Sequence, residues 1–454
     1  MFLHFFIIFL FLHPKKIRAL AHMWKMYYFC MLLSIYQPMN KLFTLLSALF
    51  ISATTLFAGI DMQAHMGTNE AIQAYDDHLE RQATYYEDDC AYTFLRQLTG
   101  DELFGRLNSM MGTTCKLGTS NYSYNSLRNA YVGVDRDLNT PGKIIGYYDG
   151  RSMDGTWDGG KTYNREHTWP QSKGANKSIP MGHDMQSVRP TNASINSSRG
   201  NTAYGESGSY YDPNEIAINN ANYRAENLGS YRGDAARVIL YDYIVYGEAG
   251  GYKNKHYNGN AQLLSKLGYS GVFESIPVLI KWHMQDPPSL TEMVRNDGAQ
   301  DYQGNRNPVI DFPELALQIF LNNSSVKAYT VALESTAKMW PAHQYTLAAG
   351  FIAYLTYPDG THPADVTVTG ATATYDAAMG RLTISNVTSA VTITTRGTDV
   401  QDVVCNSSAT IYNIFGAVVA SCSSDLVGST LQSLTPGIYL VRQGQSTRKV
   451  ITNL

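Results

Sequence analysis

The chain has 454 residues, 44% of them hydrophobic and 12% aromatic, and a formal net charge of −3. That length suits two or three domains with substantial cores. Five lysines and arginines precede Asp61 with no acid among them, so the rest of the chain carries −8, which argues against a protein that coats nucleic acid by charge alone.

Met1 to His13 and Met26 to Tyr36 are apolar runs too short to span a bilayer comfortably. Met39-Asn40-Lys41, the apolar run Leu42 to Phe57 and the small residue Ala58 follow the order of a signal peptide. Residues 1–58 therefore read as a leader, with a mis-assigned start over 1–38 and a signal peptide over 39–58. A membrane-anchored N-terminus is the alternative. The first reading predicts a secreted or cell-surface protein with no transmembrane segment after processing.

From Asp61 to Asn129 the apolar spacing is helical, as in Ala91 to Leu95 and Leu103-Phe104-Leu107. Lys143 to Tyr148 reads as a strand stopped at Asp149-Gly150, and Tyr163 to Trp169 as the next, stopped by Pro170. These would be the two strands ahead of a helix holding Asn196, with Asn192 as its cap or first-turn residue. Asn192, Asn196 and Arg199 then share one helix face. Glu166 and His167 are adjacent, so in a regular strand they point to opposite faces; serving one site requires a bend, a bulge or action around the strand edge.

The stretch Asn164-Arg165-Glu166-His167-Thr168-Trp169-Pro170 places a carboxylate, an imidazole and a guanidinium together. Hydrolysis of a phosphodiester needs a base near neutrality, oxygen ligands for a hard cation, and a fixed cation on the phosphate. Six lysines and arginines from Lys161 to Arg199 (Lys161, Arg165, Lys173, Lys177, Arg189 and Arg199) face only Glu166 and Asp184, so this region could attract phosphate within an acidic protein.

With Asp184-Met185, Pro190-Thr191-Asn192, Asn196, Arg199 and Asn201, and with Arg232 to Arg237, Trp282 to Asp297 and Gly304 to Asp311 further on, this ordered set resembles the endonuclease I family of secreted, non-specific nucleases. The resemblance covers roughly residues 70–325. It implies a ββα-metal (His-Me finger) motif, with His167 as the general base and Glu166 and Asn196 as ligands of one divalent cation. Mg²⁺ is the expected ion, with Ca²⁺ or Mn²⁺ as alternatives. Arg199 or Arg165 would hold the phosphate. Ser187 departs from the Asn or His common at its position. Arg237 and Arg306 are read as bracing the core through carboxylates such as Asp242 or Asp311 rather than as phosphate ligands.

After Asn323 the pattern turns to short alternating runs at Tyr345 to Leu347, Asp365 to Thr369, Arg381 to Ile384 and Ala390 to Thr394. The last stretch, Ile411 to Gly416, Leu434 to Arg442 and Arg448 to Ile451, resembles a type IX secretion C-terminal sorting domain. Outside the leader the cysteines are Cys90, Cys115, Cys405 and Cys422. Pairs 90–115 and 405–422 would close local loops, and three connectivities remain open. No Cys/His cluster suggests zinc.

The expected fold class is α+β: a mainly helical nuclease domain over 59–325 with an embedded ββα-metal motif, a β-rich module over 326–397 and a sorting-like β domain over 398–454. The expected function is a secreted, monomeric, metal-dependent endonuclease. It would cut DNA and RNA with little sequence specificity, leave 5′-phosphate and be exported by the type IX machinery. The alternatives are a cell-surface adhesion protein with a decayed nuclease domain and a phosphodiesterase of small nucleotides.

Overall fold

The computed structural model describes residues 69–86, 92–119, 121–206, 208–213, 231–259, 271–358, 360–396, 408–413, 418–423, 434, 437–443 and 446–452. The leader, Cys90 and Cys405 lie outside these residues. Helices and strands segregate along the chain, an α+β arrangement.

The helical part is built on α5 (Tyr231–Tyr246), preceded by α1 (Asn69–Tyr85), α2 (Gly100–Thr114), α3 (Leu127–Val134) and α4 (Ala193–Arg199). It is followed by α6 (Ile276–Gln285), α7 (Leu290–Gln303) and α8 (Leu315–Phe320). The sequence shows an apolar stripe on α5, but the helix is buried on every side, and only Arg232 escapes. A helix enclosed in this way must pair its polar side chains internally. Arg237 donates to Glu292 Oε1 at 2.8 Å and Oε2 at 2.6 Å. Arg306, also fully buried, binds Asp311 and Asp297. Both arginines brace the core, Arg306 through the expected Asp311 and Arg237 through Glu292 and Asp234 rather than Asp242. Helix α7 begins with a full capping box, Ser289 with Glu292, so the carboxylate that receives Arg237 also closes the helix start. At Gly298 an added Cβ would stand 2.8 Å from Val134 Cα, which is how closely α7 approaches α3.

Strand β1 (Lys143–Ile145) pairs with β2 (Ser152–Asp154) as a small separate hairpin. Strand β3 (Tyr163–His167) pairs antiparallel with β4 (Val188–Asn192), and α4 follows directly. Two strands do precede the helix, but the expectation misassigned one of them. The partner of the motif strand comes after it, beyond the excursion 168–187, and the 143–148 segment belongs elsewhere. Asn192 caps α4 as expected, its Oδ1 accepting from Ser194 N at 2.9 Å and Ile195 N at 3.3 Å.

From 328 onward the structure is β. One sheet takes β5 (Ala328–Glu334), β7 (Tyr345–Leu347), β9 (Asp365–Thr369) and β12 (Val391–Arg396). A second takes β6 (Lys338–Trp340), β8 (Ile352–Thr356), β10 (Thr372–Asp376) and β11 (Arg381–Ser385). A third antiparallel sheet holds β13 (Ser408–Asn413), β14 (Val418–Ser423), β15 (Gly437–Gln443) and β16 (Ser446–Thr452). The first two sheets are not separated from the helices by a solvated gap. Phe104, Ile239, Trp282 and Phe320 belong to one buried cluster with Leu347, Phe351, Leu355, Ile384 and Ile393. Gln285 Nε2 reinforces that seam by donating to Ala349 O at 2.8 Å.

Candidate active site

Strand β3 has β4 on one side only, so its other edge is free among the described residues. An open cavity of about 300 Å³ runs along that edge. Four consecutive residues line it, Asn164, Arg165, Glu166 and His167, together with Asn196 from α4. The β3–β4 ladder carries no register shift, so no bulge turns Glu166 and His167 to one side. They meet because the cavity wraps around the strand edge.

The His167 ring is fixed from two directions. Its Nε2 lies 3.0 Å from the carbonyl of Gly182. A carbonyl only accepts, so that nitrogen carries the proton and Nδ1 keeps its lone pair. Gln171 Nε2 stands 3.4 Å from Nδ1, and the Tyr124 ring stacks on the imidazole at 5.4 Å between centroids. Burial lowers the His167 pKa to about 4, against the opposing pull of the Gly182 carbonyl. The ring is therefore a neutral base near pH 7. Gly182 is glycine for a steric reason, since a Cβ there would lie 1.9 Å from Asn176 O.

Glu166 is buried, and both of its hydrogen bonds fall on Oε1: from Tyr148 Oη at 2.7 Å and from Arg199 Nη1 at 3.0 Å. The Tyr148 hydroxyl is in turn hydrogen-bonded to that of Tyr204. Burial pushes the Glu166 carboxyl up, and the Arg199 charge and the Tyr148 hydroxyl oppose it. Among the described residues Oε2 has no protein partner, and Glu166 lines the cavity. The Asn196 carboxamide, half-buried on the same wall, makes no side-chain hydrogen bond among the described residues either.

The two candidate phosphate ligands differ. Arg199 is 1% exposed and is not on the cavity wall. Its guanidinium binds Glu166, His167 O at 2.8 Å and Thr168 O at 2.9 Å, and it lies over the Tyr204 ring. Its charge is turned inward to Glu166 and to the end of β3. Arg165 does line the cavity, with Nη1 donating to Tyr124 O at 2.7 Å. Arg189 is also withdrawn from the expected basic surface, 3.5 Å from Asp135 and over the Tyr147 ring.

Ser187 braces the other side. Its hydroxyl lies 2.6 Å and 2.5 Å from the two carboxyl oxygens of Asp242 on α5. Burial pushes the Asp242 carboxyl well above its usual range, and the Ser187 hydroxyl opposes that shift. Asp184 is held by Tyr241 Oη at 2.7 Å, Tyr246 Oη at 2.5 Å and Gln303 Nε2 at 2.7 Å. The excursion carrying Gly182 is thereby tied to α5 and α7.

The endonuclease I model matches residues 99–314, which contain every residue of this site. The chain is 34% identical over 212 residues to the extracellular ribonuclease of Bacillus amyloliquefaciens, covering 45% of this chain and 70% of that protein. It is 31% identical over 255 residues to the extracellular ribonuclease of Bacillus subtilis (strain 168), covering 52% and 81%. The chain belongs to the endonuclease I family. It is accordingly a nuclease by family, and the cavity beside β3 is where Arg165, Glu166, His167 and Asn196 converge.

Sequence reading missed Tyr148, Gly182, Tyr124 and Trp157. Only Trp157 carried a signal, as a tryptophan in a Gly-rich loop shortly before the motif. Cys115 has a buried, free thiol, and its suggested partner Cys90 lies outside the described residues.

Proposed function

We propose that the chain is a metal-dependent endonuclease that hydrolyses DNA and RNA with little sequence preference. The observation that carries this reading is the convergence on one cavity of an imidazole whose Nδ1 keeps its lone pair and, among the described residues, a carboxylate oxygen without a protein partner and an equally unengaged carboxamide. Two uncommitted oxygen donors, one of them charged, fit a hard divalent cation that keeps several waters, as Mg²⁺ sites do. Glu166 Oε2 and Asn196 Oδ1 would hold it. Such an ion supplies charge neutralisation for the scissile phosphate. His167 Nδ1 takes the proton of the attacking water as its oxygen bonds to phosphorus; the bond to the 3′ oxygen breaks and that oxygen takes a proton from a solvent water, leaving a 3′-hydroxyl and a 5′-phosphate. Arg165 binds a non-bridging oxygen. Arg199 positions Glu166 rather than touching substrate. The order β3, β4, α4 supports assignment as a ββα-metal motif.

The extracellular ribonuclease names of the two relatives support secretion and RNA among the substrates. Among the described residues no helix is long and apolar enough to cross a membrane. The sheet β13–β16 fits the proposed role of the last residues as a type IX sorting module, with a signal peptide over 39–58 and a monomeric enzyme. The test is incubation of the purified chain with supercoiled plasmid and with RNA, with and without EDTA. Nicking that EDTA abolishes and millimolar Mg²⁺ restores is the expected result. Hydrolysis of small nucleotides alone would favour the phosphodiesterase reading.

A further inference from the structure

Resting on this nuclease reading, we propose that Trp157 forms, with Arg165, a stacking subsite for an unpaired nucleobase next to the scissile phosphate. Trp157 is half-buried on the wall of a polar cavity. Its indole is not loosely placed. The Asp158 carboxylate accepts from Gly160 N, Lys161 N, Thr162 N and the Thr162 hydroxyl, which closes the loop around the tryptophan. The Tyr163 ring meets the indole edge-on at 5.3 Å. The Arg165 guanidinium lies 4.9 Å from the indole centroid and 3.7 Å from that of Tyr124.

These groups, all on the cavity wall, make one column from Trp157 through Arg165 and Tyr124 to the His167 imidazole. A planar cation held between aromatic rings is rigid, and the adjoining aromatic surface suits the flat face of a base. Because every base has such a face, the contact adds affinity without a sequence code. A base paired and stacked inside a duplex does not offer its face, so the subsite selects single-stranded substrate.

The test measures kcat/KM on a single-stranded oligothymidylate and on a strand of the same length whose sugars lack bases. The wild-type chain should favour the base-bearing strand by about 10- to 100-fold, mainly through KM. Trp157→Ala should erase that preference, and Trp157→Phe should keep most of it. If Trp157→Ala slows both strands equally, or leaves the wild-type ratio unchanged, the subsite does not exist. A wild-type chain that nicks plasmid but cuts neither strand also overturns the subsite, whereas one that leaves plasmid and RNA intact as well sinks the nuclease reading itself.

Discussion

The carbonyl of Gly182 receives Nε2 of His167 at 3.0 Å, across the excursion between β3 and β4. This contact sets which ring nitrogen is basic, and glycine is needed because a Cβ would collide with Asn176. Gly182→Ala should therefore keep the general base but misdirect it. A displacement near 1 Å costs on the order of 10²-fold in rate. His167→Ala should cost on the order of 10²–10⁴-fold while nucleic acid binding survives. Plasmid nicking and a binding titration check both, and near-wild-type turnover in the alanine variant at 167 would remove it as the base.

The proposed cation site offers one formal charge, on Glu166. Glu166→Gln should raise the Mg²⁺ concentration needed for half-maximal cutting more than Asn196→Asp does, because the first removes that charge and the second adds one. Isothermal titration of the metal into the free protein gives an independent reading. Unchanged metal dependence in Glu166→Gln contradicts the assignment.

The buried cluster that joins Phe320 and Trp282 to Leu347 and Phe351 makes a prediction about truncation. A chain of residues 59–325 retains the whole site but bares the apolar face that the first two sheets cover. It should cut DNA, with a stability loss on the order of a few kcal/mol relative to residues 59–397, or about 10 °C in Tm. Equal melting temperatures would mean that the seam contributes nothing.

His343 sits against the Phe351 ring, and its Nε2 has no partner among the described residues. Burial lowers its pKa to about 3. A depressed folded-state value means the unfolded chain takes up the proton first as the pH falls. The contribution is thus intact above the ordinary histidine value near 6.5 and is lost progressively down to about 3. His343→Leu should flatten that dependence, narrowing the stability difference between pH 7 and pH 4.5 by roughly 2 kcal/mol. Parallel urea titrations of the two proteins at both pH values measure it, and identical pH profiles would contradict it.

Local chemistry was legible in the sequence, whereas partners distant in sequence were not. Asn192 announced itself as a cap, and the apolar spacing of Leu103, Phe104 and Leu107 located α2. Val188–Asn192 did not read as a strand, because Arg189 and Pro190 interrupt any alternation. Its pairing with β3 is set by the buried anchoring of Asp184 rather than by a turn signal. The inward course of Arg199 was equally hidden. A helix periodicity that places Arg199 beside Asn196 cannot show that Glu166 and two backbone carbonyls lie within its reach.

The tyrosines that hold Asp184, and with it the segment bearing Gly182, come from α5, and the glutamine comes from the end of α7. A growing chain that has only reached the motif has every reacting group but no fixed imidazole. Catalytic competence thus arrives late in synthesis, once residue 303 has emerged and packed, and an unfinished or unfolded chain is harmless to the nucleic acid around it.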